Sequence, residues 1–138
     1  MRLRMIAAAA VILASGFAAA QTPSPQGARE YFINLKNGQH VKSPVLIQFG
    51  LAGMGVAPAG AMNMNTGHHH LIIDADTPPG GMPIPNDEKH RHFGGGQTEV
   101  SVQLTPGNHS LQLVLADGAH IPHNPPVVSE KISVTVDP

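Results

Sequence analysis

The 138-residue chain contains no cysteine and no tryptophan, and its aromatic content is one tyrosine and four phenylalanines. Without a thiolate, blue-copper centres, iron–sulfur clusters and cysteine zinc sites are excluded. Disulfides are excluded as well, so a fold reached in an oxidising compartment must hold by packing alone. Charge is sparse, with Asp, Glu, Lys and Arg making up 12% of the chain, which leaves little for paired-carboxylate glycosidase chemistry. The G-x-S-x-G elbow and the H-E-x-x-H motif of hydrolases are missing. Gly94-Gly95-Gly96 has no G-x-G-x-x-G context, so phosphate binding is not supported. It serves equally well as a flexible lead into the next strand or as a place where backbone approaches a ligand.

Long hydrophobic runs are also lacking. The apolar stretch from Met5 to Phe17 is shorter than the roughly 20 residues of a membrane-spanning helix, and Ser15 and Gly16 interrupt it. Arg2 and Arg4 precede it and Ala18-Ala19-Ala20 follows, so it reads as a secretory signal cleaved after Ala20. The expected organisation is a signal peptide over 1–20, a flexible lead-in over 21–29 and one β-sandwich domain over 30–138. The expected location is periplasmic or secreted, with no membrane insertion after cleavage. Past the leader, six Lys/Arg face nine Asp/Glu, a net charge of about −3. That argues against nucleic acid as a partner.

What is present is short-strand patterning. Residues 30–35 (EYFINL), 44–51 (PVLIQFGL), 68–74, 97–104 (QTEVSVQL), 109–116 (HSLQLVLA) and 127–136 (VVSEKISVTV) read as strands A, B, C, E, F and G. Strand E alternates Val100, Val102 and Leu104 against Glu99, Ser101 and Gln103, and G alternates Ile132, Val134 and Val136 against Lys131, Ser133 and Thr135. The expected fold is all-β: a small immunoglobulin-like antiparallel β-sandwich with two long loops, a small barrel being the alternative. The loops are 52–67 and 75–96, both longer than the ~12–15 residues usual for a plain connection. An irregular edge strand D is expected within 75–89, where prolines are tolerated.

Nine histidines are present. In an immunoglobulin-like arrangement the B–C, D–E and F–G loops share one end of the sandwich. Those loops bring His68, His69, His70, His90, His92, His120 and His123 together there, while His40 and His109 fall at the other end and are expected to be ordinary surface residues. Neutral imidazole is the commonest ligand of zinc and copper. His68 and His70 are two apart on a strand and share a face, with His69 on the other. The candidate metal ligands are therefore His68, His70, His90, His92, His120 and His123, with His69 and Met54 as lesser candidates. Asp74, Asp87 and Glu88 are candidates to orient the imidazoles. Thioethers of Met54, Met62 and Met64 would tilt the site toward Cu(I), although methionine also fills irregular gaps in loops. Phe93 is expected to plug the sandwich.

The strings GMGVAPAG, TGHHHLIID, HRHFGGGQTE, LTPGNHSLQLVL and HIPHNPP followed by VVSEKISVTV resemble a family of small exported bacterial domains of unknown function. The resemblance covers residues 31–136. It implies a periplasmic one-domain protein with a histidine-rich signature, mapping onto Met54, His68, His69, His70, His90, His92, His109, His120 and His123. It brings no reaction with it.

The leading expectation is a periplasmic metal-binding protein, with copper ahead of zinc, that buffers metal or delivers it to another periplasmic metal-handling protein. A copper-dependent redox enzyme resembling a superoxide dismutase is the enzymatic alternative, and a metal-free ligand or envelope-interaction module is the third. A histidine-brace oxidase is disfavoured because the expected mature end is Gln21.

Overall fold

The computed structural model describes residues 20–138, and the expected signal peptide lies outside them apart from Ala20. Among the described residues nine strands form, in the order β1 (Arg29–Phe32), β2 (Gln39–Val41), β3 (Val45–Ala52), β4 (Gly55–Val56), β5 (Thr66–Ile73), β6 (His90–His92), β7 (Glu99–Val102), β8 (Gly107–Ala116) and β9 (Ile132–Val136). There is no helix among the described residues.

Two sheets result. The smaller has the order β1-β3-β7, and the larger runs β2-β9-β8-β5-β4 with β6 also paired to β5. Strands β1, β3 and β7 thus occupy one layer and β5, β8 and β9 the other, the A-B-E against C-F-G partition of an immunoglobulin-like sandwich. Pairing is antiparallel except for β2 on β9 and β4 on β5. The structure is a sandwich, not a barrel, because β1 and β7 close onto no further strand of the described residues.

Alternation decides what each strand buries. In β3, Val45, Ile47 and Phe49 point inward while Leu46 is 44% exposed. From the other layer Leu71, Ile73, Leu111 and Leu113 meet them. Truncating a residue such as Leu113, which has no exposed surface, to alanine costs about 2–5 kcal/mol through lost transfer and the cavity left behind.

Strand β5 does not alternate: every residue from Gly67 to Ile73 is buried. The cause is a second, smaller apolar cluster on the outer face of the larger sheet, where Ile72, Val114 and Ala116 are covered by Ile84. A strand covered on both faces loses its polar side.

Several boundaries differ from the sequence reading. The irregular strand expected within 75–89 does not form, since Pro78, Pro79, Pro83 and Pro85 offer no backbone donor for a ladder. The added edge strand is instead β6, with His92 opposite His70 and His90 opposite Ile72. The last strand begins at Ile132, with Val128 making only an isolated bridge to Val114. The lead-in, read as flexible, has a defined place at its start. Ser24 donates its backbone N–H to Asn124 (3.2 Å), Asn124 donates to Thr22 (3.0 Å), and the Gln21 amide donates to the Pro122 carbonyl at 3.0 Å.

Candidate metal centre

The register of β5 on β8 sorts the histidine triplet. His68 lies opposite Ala116 and His70 opposite Val114 on the outer face, while His69 lies opposite Leu115 on the inner face. Small neighbours at 114 and 116 leave room for two imidazoles. Strand β6 then adds His92 beside His70. A Cβ at Gly94 would collide with the His92 ring, so a glycine is required there for close approach.

The fourth imidazole comes from the β8–β9 connection. His120 has φ of 65°, a left-handed conformation costly for a residue with a Cβ. Asp117 holds it there. Its Oδ1 accepts the N–H groups of Ala119 (2.9 Å) and Ile121 (3.1 Å), its Oδ2 accepts the Thr22 hydroxyl at 2.6 Å, and its carbonyl accepts the His120 N–H at 2.9 Å. These bonds outweigh the opposing effect of burial and keep the Asp117 carboxyl below the usual range.

His68, His70, His92 and His120 each offer a ring nitrogen, and the four nitrogens lie within 4.8 Å of one another. His68 Nε2 is 3.0 Å from His70 Nε2 and 3.2 Å from His120 Nδ1. A ring nitrogen has one in-plane proton or one lone pair, so it cannot donate to one of these neighbours and accept from the other. Tetrahedral coordination at about 2.0–2.1 Å per metal–nitrogen bond places its donors about 3.3 Å apart. The spacing therefore suits nitrogens converging on a shared cation.

Burial and mutual repulsion disfavour the charged form of three of these imidazoles. Burial, followed by the nearby His92 and His120, lowers the His68 pKa to about 4. Burial, followed by His68, lowers that of His70 to about 3. His92 is lowered by burial and by His120. His68, His70 and His92 thus resist protonation, which leaves their ring nitrogens ready for a metal ion.

The cluster does not sit at the end of the sandwich but on the outer face of the larger sheet. Two candidates stand outside it. His90 is engaged by Asp87, with Nδ1 2.7 Å from Oδ1. His123 is fully buried, with Nε2 3.2 Å from the Thr66 carbonyl and Nδ1 3.5 Å from that of Leu115. Met54 is half-buried in the turn between β3 and β4, Met62 packs its sulfur on Gly118, and Met64 is exposed.

His69 faces the core, 5.2 Å from the Phe49 ring between centroids, and its Nδ1 is 2.6 Å from Glu30 Oε1 with both side chains wholly buried. Burial raises Glu30 well above the usual carboxylate range and lowers His69 to about 4. The pair is therefore neutral, with the Glu30 carboxyl donating to Nδ1. Phe93 packs on Phe49 at 4.8 Å as the expected plug.

None of the proposed orienting carboxylates reaches the cluster. Asp74 binds His109, Asp87 binds His90, and Glu88 is exposed. His40 is the expected exposed residue, paired with Asp137 at 2.7 Å. His109 is not an ordinary surface residue: its ring nitrogens lie 2.7 Å from Asp74 Oδ2 and 2.8 Å from the Thr105 carbonyl, and these acceptors raise its pKa against the effect of burial. Asp117, Thr22 and Glu30 were not singled out in the sequence. For Asp117 the D-G-x-H spacing to His120 was the available signal.

Neither the curated proteins nor the solved structures include a match to this chain. Residues 47–137, which hold all four clustered histidines, match a family described as Domain of unknown function (DUF4399), and the chain belongs to that family.

Proposed function

We propose that the protein is a periplasmic metal-binding protein that holds copper, ahead of zinc, through His68, His70, His92 and His120, for metal buffering or delivery. The observation that carries this reading is the meeting of His68 Nε2 with nitrogens of both His70 and His120 at 3.0 and 3.2 Å. An all-nitrogen, neutral donor set without thiolate or carboxylate suits copper and zinc, and the Irving–Williams order favours copper. Elemental analysis of untagged protein from the periplasm, followed by calorimetric titration with copper and zinc, tests it. One metal per chain is expected, with His68→Ala/His120→Ala binding none tightly. Full-strength binding by that double variant would refute the assignment.

A second reading, a copper redox enzyme, draws on one further feature. A cavity of about 220 Å³ bordered by His70, His92 and His120 gives the cluster an open side, as catalytic metal sites keep an open position. Superoxide consumption by the copper-loaded protein beyond that of free copper distinguishes it from buffering.

A further inference from the structure

The charge around the four imidazoles is unbalanced for a divalent ion. Imidazole coordinates in its neutral form and brings no negative charge, so a bound M²⁺ would keep excess positive charge in a site where His68 and His70 have at most 1% exposure. Burying uncompensated charge is expensive. The protein carboxylates supply only part of the balance: Asp117 favours positive charge at His68 from a distance, and none is hydrogen-bonded to the four imidazoles. Glu30 faces the opposite side of β5 with His69, Asp87 and Asp74 are engaged by His90 and His109, and Asp117 spends its oxygens on Thr22, Ala119 and Ile121.

The cavity shows where compensation can enter. Its lining is His70, His92 and His120 on one side and Pro83, Ile84 and Asn86 on the other. His68, which is wholly buried, is absent from that lining. Proline has no N–H and Ile84 is apolar, so Asn86 contributes the one side-chain hydrogen-bond donor opposite the imidazoles. No lysine or arginine borders the cavity. Its 220 Å³ is room for about seven waters at roughly 30 Å³ each, enough for a small anion with some of its hydration.

We propose that a small monovalent anion, of the size of hydroxide, a halide or azide, binds in this cavity as an additional ligand of the metal, with the Asn86 amide as its protein contact. This rests on the metal-binding reading above. Because the cavity lacks a cation of its own, anion binding depends on the metal: the metal-free protein takes up none.

The test uses azide as the probe on the Cu(II)-loaded chain. Copper stoichiometry is measured first, then azide is titrated while the azide-to-copper charge-transfer absorption and the copper EPR spectrum are followed. A saturable one-to-one change is expected in the loaded protein only. Asn86→Phe, at an exposed position in the mouth, should retain copper while weakening azide by about tenfold or more. Stoichiometric copper with no saturable azide response would overturn the anion site and leave the metal centre standing. An undiminished response in Asn86→Phe would overturn its placement in this cavity. Failure to bind copper would overturn both.

Discussion

Replacing Asp117 by alanine separates positioning from ligation, because this carboxylate touches none of the ring nitrogens yet fixes the loop that carries His120. Three hydrogen bonds are lost, from Ala119, Ile121 and Thr22. Bonds to a charged group contribute about 1.5–3 kcal/mol each, and neighbouring ones are not additive. A loss of about 3 kcal/mol for the loop is the working figure. That figure takes in the left-handed His120, whose φ of 65° costs about 1–2 kcal/mol when nothing enforces it. If opening of the loop is the whole effect, metal affinity falls by up to about 150-fold, the equivalent of 3 kcal/mol. Asp117→Asn keeps an acceptor for the two backbone N–H groups and should fall between the two, as should Thr22→Val. Competition titration against a chelator of known affinity measures the loss, and urea unfolding of the metal-free protein measures stability beside it. Native affinity in Asp117→Ala, at a stability that confirms the loop bonds are gone, would refute the claim that Asp117 positions His120.

Three other predictions follow from the same geometry. Glu30→Gln retains a neutral donor to His69 Nδ1 and should cost no more than about 1 kcal/mol, whereas Glu30→Ala, leaving a buried imidazole unpaired over a cavity, should cost about 3 kcal/mol or more; equal losses in denaturant titration would show the pair to be ionic. The metal-free protein should lose stability as pH falls below about 6.5: His68 and His70 stay neutral in the fold down to about 4 and about 3, while the unfolded chain takes up their protons. At about pH 5 that amounts to up to about 2 kcal/mol for each, the unfolded state binding more protons than the native one. Thermal unfolding against pH checks the sign. The raised His109 works oppositely, contributing stability below its unfolded pKa and losing it as pH rises. His90→Ala should leave metal affinity within about twofold while His92→Ala weakens it by tenfold or more, as for removal of a ligand rather than an exposed neighbour; similar losses in the two would return His90 to the site.

Strand parity was legible in the sequence, and it carried the division of the triplet: His68 and His70 to one face, His69 to the other. The alternating strands around Val100 and Ile132 were legible for the same local reason. What could not be read was long-range. Whether His90 or His92 joins His70 depends on the register of β6 against β5, and a three-residue strand carries too little pattern to fix a register. The continuous burial of β5 hid its two-sidedness, because the outer cover comes from Ile84 in a proline-rich loop with no period of its own. The pairing of Thr22 with Asp117 joins residues 95 positions apart, and no local signal connects a polar lead-in to a turn aspartate. The buried Glu30 alternated correctly into the inward face of its strand but looked like a surface residue by type.

The strand that supplies two of the four imidazoles is hydrogen-bonded along both edges, to β8 on one side and to β4 and β6 on the other. Its amides should exchange with solvent only through global unfolding, the slowest class of opening a fold offers. His120 belongs to a connection secured by a handful of bonds to residues 21–24. The centre thus has an anchored half and a hinged half. Exchange of a bound ion would then be timed by the hinged half alone, and residence time could be tuned at Thr22 or Asp117 without changing a single ligand.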